Sequence, residues 1–364
     1  MSNNNLKTAK KSKNDEFYTL MEDIEKELRY YTEHFKGKVV YCNCDDYQQS
    51  NFYKYFYYNF QYLKLKKLIC TCFNADDNGL YAIYDGETET TGKLSGDGDF
   101  RSEECIEYLK QADVVVTNPP FSLFRQYVKQ LMDYGKKFIV MANNNAITYK
   151  EFFPYIKNGK VWLGRTLFTG KMPYFKVSDS YNLTNDRFEK REDGLYKQVN
   201  GICWFTNVPN DNNRQVLDLY KRYSFEDYPK YDNYDAINVD KVADIPMDYD
   251  GVIGIPITGL KYLWSDGTIH TEYNGITTQF EIIKFRKGDD DKDLSVNGKA
   301  PYFRILIKKK YDLTPTPIQF EIIDAREVAL NDKQKNKSTY LIKDADGAIN
   351  GKPTYARICI RRKK

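Results

Sequence analysis

Between residues 14 and 163 short apolar runs alternate with segments of helical spacing, and this alternation narrows the folds open to the chain. Lys38 to Asn43 reads as a strand, and Phe52, Phe56, Phe60 and Leu63 mark one face of the helix after it. Lys67 to Phe73 gives a second strand and Leu80 to Tyr84 a third. Ser102 to Gln111 is helical, with Glu103 and Glu104 in the first turn, where the helix dipole favours acids. Val114 to Thr117, Phe138 to Ala142 and Val161 to Leu163 continue the series. Such alternation predicts an α/β fold with a mostly parallel sheet and helices on both faces.

The strand at Val114 to Thr117 runs straight into Asn118, Pro119, Pro120 and Phe121. This string suits methyl transfer to an exocyclic amine of a nucleobase. Such an amine is a poor nucleophile because its lone pair is delocalised into the ring. Oxygen acceptors aimed at its two hydrogens hold the nitrogen closer to tetrahedral and free that pair. The side-chain oxygen of Asn118 and the backbone carbonyl of Pro119 can supply both, held rigidly because proline has a fixed φ and no N–H. Phe121 then offers a flat face for the base. The same residues also read as an ordinary strand-to-helix turn, with proline at the first helical position. Context favours the chemical reading. Phe124, Tyr127, Val128, Leu131 and Met132 continue at helical spacing to Gly135, and ligands of open α/β sheets bind at the carboxyl ends of strands.

With 364 residues the chain can hold two domains. It has no run of about 18 apolar residues, so no membrane span is expected. Met1 to Lys13 lacks the apolar stretch of a secretory signal, and seven cysteines, an odd number, point to reduced thiols and a cytoplasmic protein. Two histidines leave little room for His-based triads or metal sites. Cys42, Cys44, Cys70 and Cys72 form two C-x-C pairs, spaced more tightly than zinc knuckles usually are, and no metal is expected. The net charge of +4 hides local basic clusters: Lys7, Lys10, Lys11 and Lys13 at the start, Lys308 to Lys310, and Arg361 to Lys364. Clusters in a near-neutral protein suit a nucleic-acid face, although Arg361 to Lys364 alone also reads as a solvated tail.

Beyond about residue 165 helical spacing fades and short β-like runs appear, such as Ile202 to Thr206 and Val252 to Ile257. An internal repeat lies near the end. Gln279 to Ile283 recurs as Gln319 to Ile323, and Tyr302 to Lys308 recurs as Tyr355 to Arg361, each of the latter preceded by Asn-Gly-Lys. The alternation of Ile305 and Ile307 with Arg304 and Leu306, and its copy around Arg357, reads as a half-buried strand. One face could offer arginine to phosphate. A duplicated hairpin with solvated arginines explains the pattern equally well.

Three further segments carry acids or aromatics at element boundaries. Asp15 to Thr19 precedes a helix beginning near Glu22. The strand ending at Asn43 runs into Asp45 and Asp46 without the usual glycine-rich loop, since Gly37 lies before it. Gly96 to Phe100 places Asp99 in a loop upstream of the Asn-Pro-Pro-Phe strand. Each acid alone is more often a turn or cap residue.

Together these strings resemble the EcoRI-type adenine-specific DNA methyltransferases. The resemblance runs from Asp15-Glu-Phe-Tyr-Thr19 through Val39 to Asp46, Gly98 to Ser102, Thr117 to Phe124, Asn145 to Lys150, Cys203 to Asn207 and Ile255 to Thr258 to the Gln-Phe-Glu-Ile blocks. It implies a Rossmann-like methyltransferase domain over 14–165, its sheet completed by 200–208, after a flexible basic arm over 1–13. A β-rich, irregular target-recognition region over 166–364 would follow, with repeats at 279–310 and 319–363. S-adenosylmethionine is the implied methyl donor and N6 of a flipped adenine in duplex DNA the acceptor. Phe17, Tyr18 and Thr19 would border the methionine end of the cofactor. Asn43 with Asp45 or Asp46 would hold its polar groups, and Asp99 with Phe100 its adenine. No clear acid ends the second strand for the cofactor ribose, and Asp76 and Asp77 are the nearest acids in sequence. Asn118, Pro119, Pro120 and Phe121 would hold the target base. Lys7, Lys10, Lys11, Lys13, Arg304, Lys308, Arg357 and Arg361 are the candidate DNA contacts. The protein is expected to act as a monomer without requiring a partner restriction endonuclease. Methylation of RNA or of a protein glutamine amide also suits Asn-Pro-Pro, and the missing glycine loop leaves room for a non-catalytic DNA-binding descendant.

Overall fold

The computed structural model describes residues 18–166, 173–177, 187–210, 215–301 and 304–313, together with four short strand segments beyond them. The chain divides into two units, Met1–Asp312 and Leu313–Lys364.

The first unit is organised by an eight-stranded sheet in the order β5-β4-β3-β2-β6-β7-β12-β8. Its centre is β3 (Lys67–Cys72), β2 (Val39–Asn43), β6 (Val114–Thr117) and β7 (Lys137–Asn143), all mutually parallel. Every residue of β2 and β6 is buried, as expected of parallel strands covered on both faces. Side chains alternate between two cores. Tyr41, Val115 and Val140 pack with Leu109 of α3 (Glu103–Gln111) and with Phe124, Val128 and Leu131 of α4 (Phe124–Asp133). Val40, Val116 and Met141 pack on the other face with Ile24 and Leu28 of α1 (Met21–Leu28) and Phe52 and Phe56 of α2 (Asn51–Tyr58).

The sheet is less uniformly parallel than the sequence suggests. β4 (Leu80–Tyr84), β5 (Glu89–Lys93), β8 (Trp162–Leu163) and β12 (Ile202–Thr206) all join through antiparallel pairings. The connection from Cys72 to Leu80 is far shorter than a crossover needs, so β4 can only fold back on β3. The helix expected from Phe52 to Leu63 breaks at Asn59 into α2 and a single turn, Phe60–Leu63. The chain leaves β2 through α2 to reach β3 on one side, then returns through α3 to β6 on the other. The carboxyl ends of β2 and β6 therefore flank the point where the winding reverses, where α/β sheets hold ligands.

Among the described residues two further sheets belong to this unit. A four-stranded one runs β1-β9-β11-β10, formed by β1 (Tyr18–Thr19), β9 (Tyr174–Val177), β10 (Phe188–Arg191) and β11 (Gly194–Gln198). A six-stranded one runs β13-β16-β17-β18-β15-β14, from β13 (Leu217–Asp218) and β14 (Ala236–Asn238) through β15 (Val252–Pro256) and β16 (Thr268–Tyr273) to β17 (Ile276–Phe285) and β18 (Arg304–Leu313). The first copy of the sequence repeat forms β17 and β18, which lie side by side. In the second unit the corresponding Phe320–Ile322 and Ile360–Arg362 pair antiparallel, so the repeat duplicates a strand pair.

Candidate active site

At the end of β2 the backbone turns through Cys44 with φ of 70°, a conformation normally left to glycine. The sharp turn for which the sequence offers no glycine is thus made by a cysteine. It delivers Asp45 into the crevice, where the carboxyl is buried. Its Oδ1 accepts a hydrogen bond from the Ser50 hydroxyl at 2.6 Å, and Ser50 also caps α2 by accepting from Phe52 N at 3.1 Å. Its Oδ2 lies 2.6 Å from Thr117 Oγ1, and that same hydroxyl lies 2.5 Å from the carbonyl oxygen of Asn43. One hydroxyl proton cannot serve two acceptors. A proton on Asp45 resolves the conflict, because Asp45 then donates to Thr117 and Thr117 donates to Asn43. Consistently, burial pushes the Asp45 carboxyl up to about 7 against the opposing hydrogen bonds of Ser50 and Thr117. Asp46 does a different job: it is half-buried in the turn, with its side chain accepting from Gln48 N at 2.9 Å.

The loop carrying Asp99 is pinned to the end of β3. Asn74 N donates to the Asp97 carbonyl at 2.8 Å, and Gly98 lies so close that a Cβ there would collide with the Cys72 carbonyl oxygen. Asp99 is buried with its carboxylate gripped by Arg101, Nε to Oδ1 at 2.9 Å and Nη2 to Oδ2 at 2.7 Å. Phe100 is fully buried and meets the Tyr127 ring edge-on at 5.1 Å. Gln130 holds the Phe100 carbonyl at 3.0 Å, so α4 and the Asp99 loop are bound to each other.

The third wall is the end of β6. Pro119 is buried, while Asn118, Pro120 and Phe121 are half-buried. No helix starts at Pro119: a 3-10 turn, Phe121–Leu123, intervenes before α4. Asn118 Nδ2 donates to Thr19 Oγ1 at 3.4 Å. Thr19 also donates to Met141 Sδ at 3.4 Å, and its carbonyl accepts from Asn51 Nδ2 at 2.8 Å. Tyr18 beside it lines an open cleft of about 1300 Å³ with Gln48, Asn51, Lys54 and Lys190.

The structure thus links Thr19, Asn43, Asp45 and the Thr117–Asn118 strand end through hydrogen bonds, and places Asp99 and Phe100 on the loop pinned to the end of the neighbouring β3. Asp76 and Asp77 stay outside, on the exposed loop after β3, with Asp77 paired to Lys93. Phe17, Lys7, Lys10, Lys11, Lys13 and Arg357 lie outside the described residues, as does the side chain of Arg361. Lys308 is exposed. Arg304 is a correction: it is buried, with Nε on Asn238 Oδ1 at 2.8 Å and Nη2 on Asp240 Oδ1 at 2.9 Å. Ile305 and Ile307 enter one core and Leu306 another, so no face of this strand segment is open to phosphate. Ser50, Arg101 and Thr117 escape the sequence reading. Ser50 carries a usable signal, as a cap residue immediately before a helix. Among the described residues no cluster of metal-ligating side chains occurs, and no helix is long and apolar enough to cross a membrane.

The model of the family described as adenine-specific methyltransferase EcoRI matches residues 5–310. The chain belongs to that family. The type II methyltransferase M.EcoRI of Escherichia coli is 50% identical over 331 residues, covering 85% of this chain and 97% of the relative. M.MgeORF184P of Mycoplasma genitalium is 39% identical over 314 residues, covering 83% and 98%. M.MpnI of Mycoplasma pneumoniae is 39% identical over 315 residues, covering 84% and 98%. No solved structure matches the chain significantly. The protein is accordingly a site-specific DNA adenine methyltransferase of the restriction–modification type. In this methyltransferase the segment after residue 310 lies beyond the family match.

Proposed function

We propose that the methyltransferase transfers a methyl group from S-adenosylmethionine to N6 of an adenine flipped out of duplex DNA, and that the crevice between β2 and β6 is where it does so. The observation that carries this reading is the convergence of the Asp45, Asp99 and Asn118 segments at the reversal of strand winding. The residues fit the cofactor's chemistry: the Asp99 carboxylate, held by Arg101, keeps acceptor capacity for amine or hydroxyl hydrogens at the end of β3, beside the strand end that carries Asp45. S-adenosylmethionine bound there supplies an electrophilic methyl group. The chain supplies position. The Asn118 side-chain oxygen and the Pro119 carbonyl accept the two N6 hydrogens, and Phe121 stacks on the base. Extruding the base costs a few kcal/mol of unstacking, offset by that stacking and by cationic contacts to phosphate.

In this reading the eight-stranded sheet is a Rossmann-like cofactor domain, and the six-stranded sheet region reads base edges in the major groove. The protein works as a monomer in the cytoplasm and needs no partner endonuclease for activity. Tritium-labelled methyl transfer to DNA containing the recognised sequence tests the assignment. Asn118→Ala should lose at least about 100-fold in rate, the scale of removing a positioned acceptor. Persistence of activity in that variant would overturn the role given to Asn118.

A further inference from the structure

A carboxamide is nearly symmetric in shape, so its neighbours must decide which end is oxygen and which is NH2. For Asn118 the choice matters, since only the oxygen end can accept from an amine. Thr19 Oγ1 stands between Met141 Sδ and Asn118 Nδ2, 3.4 Å from each. A thioether sulfur carries no hydrogen and can only accept, so Thr19 spends its single proton there. What Thr19 shows to Asn118 is lone pairs. A carbonyl oxygen at that point would set two acceptors against each other, whereas an NH2 group fits. We propose that Thr19 is a positioning residue that fixes the Asn118 carboxamide with its nitrogen inward and its oxygen toward the substrate amine.

The surroundings keep this polarity from reversing. Thr19 is 3% exposed and Met141 fully buried, so solvent cannot replace either partner. Asn51 anchors the Thr19 carbonyl, and β1 pairs Thr19 with Phe175 of β9. On the other side, Thr117 fixes the backbone next to Asn118 through Asn43 and Asp45, and Asp45 returns through Ser50 to the start of α2, where Asn51 stands. The contacts form a closed ring of segments around the amide. The 3.4 Å from Thr19 to the larger Met141 sulfur is an ordinary distance, whereas the 3.4 Å from Asn118 to Thr19 is at the loose end of the N–H···O range, as catalytic contacts commonly are before substrate tightens them.

The inference rests on Asn118 being the amine acceptor, and the test separates the two claims. Steady-state methylation, cofactor titration calorimetry and thermal unfolding are measured on the full chain for Thr19→Val, Thr19→Ser, Met141→Leu and Asn118→Ala. Thr19→Val keeps the shape and loses the hydroxyl, and kcat should fall about 10- to 100-fold, the cost of misplacing a reacting group. The fall should appear in kcat far more than in cofactor affinity or KM for DNA, because the hydroxyl that Thr19→Val removes is engaged by Met141 and Asn118 while the methyl that would border the cofactor is kept. Thr19→Ser should restore most of kcat. Met141→Leu conserves volume but frees the Thr19 proton to seek the Asn118 oxygen, lowering kcat several-fold at nearly unchanged melting temperature. Parental kcat in Thr19→Val, or a loss confined to cofactor affinity, would sink the proposal. If Thr19→Val unfolds, Met141→Leu decides: parental kcat there refutes it. An inactive Asn118→Ala beside a fully active Thr19→Val removes only this inference, while an active Asn118→Ala removes the reading beneath it.

Discussion

Replacing Asp45 with asparagine keeps the side chain's shape and abolishes its titration. The amide nitrogen of the new side chain, placed where Oδ2 stands, would donate to Thr117 Oγ1 and let Thr117 donate to the Asn43 carbonyl, reproducing the protonated parent. In the parent the folded carboxyl lies at about 7 against 3.8 for an ordinary aspartate, so the folded state binds this proton more tightly than the unfolded one. Stability from Asp45 is therefore complete below about pH 4 and declines as the pH rises through the folded value. At about 1.36 kcal/mol per unit the ceiling is about 4 kcal/mol by pH 8, and water penetration should leave on the order of 2 to 4 kcal/mol. Urea unfolding of the cofactor-free protein and of Asp45→Asn, measured at roughly half-unit steps from about pH 4.5 to 8.5, reads the difference directly. The variant should gain on the parent steadily up to about pH 7 and hold its advantage above it. A difference that stays flat over that window, or that favours the parent more strongly as the pH rises, would show that Asp45 is ionised throughout and that the shared Thr117 proton needs another explanation.

Gly98→Ala forces a Cβ toward the Cys72 carbonyl at φ of 80° and should cost at least about 2 kcal/mol by thermal unfolding, with weakened cofactor binding because the Asp99 loop must lift. Arg304→Ala should lower stability by roughly 3 kcal/mol, below the cost of breaking a fully buried pair because Asp240 is largely exposed. Its salt dependence of DNA binding should match the parent, whereas a shallower slope would return Arg304 to the phosphate contacts.

The elements legible in the sequence are those whose signal is local. Val39–Asn43, Lys67–Cys72 and Val114–Thr117 are apolar because both faces are covered, and Glu103–Gln111 is announced by the Ser102 cap, which accepts from Cys105 N at 3.2 Å. The strand Glu89–Lys93 has no such signal: it is polar, mostly exposed, and a strand only because β4 lies beside it. The Asn-Pro-Pro-Phe string points to the crevice, but its partner Thr19 lies 99 residues away on a two-residue strand. Arg304 is misplaced by its sequence pattern because period-two spacing separates two faces without saying that both are buried. Cys44 shows the converse, since a missing glycine does not mean a missing turn when surrounding contacts hold another residue at positive φ.

The buried Arg304 gives the duplicated hairpin an asymmetry. The repeat copies the cation, as Arg357, but the segment holding Asn238 and Asp240 occurs once in the chain. The partners that neutralise Arg304 beside β15 therefore have no second copy in the sequence. Leu306 fills a cluster with Tyr231, Ala236 and Leu294, and its counterpart in the second copy is Cys359, a smaller side chain whose substitution there would forfeit on the order of 1 to 2 kcal/mol. The repeat thus copies the strand pattern and its cation without copying either the polar partners or the side-chain volume that the first hairpin uses.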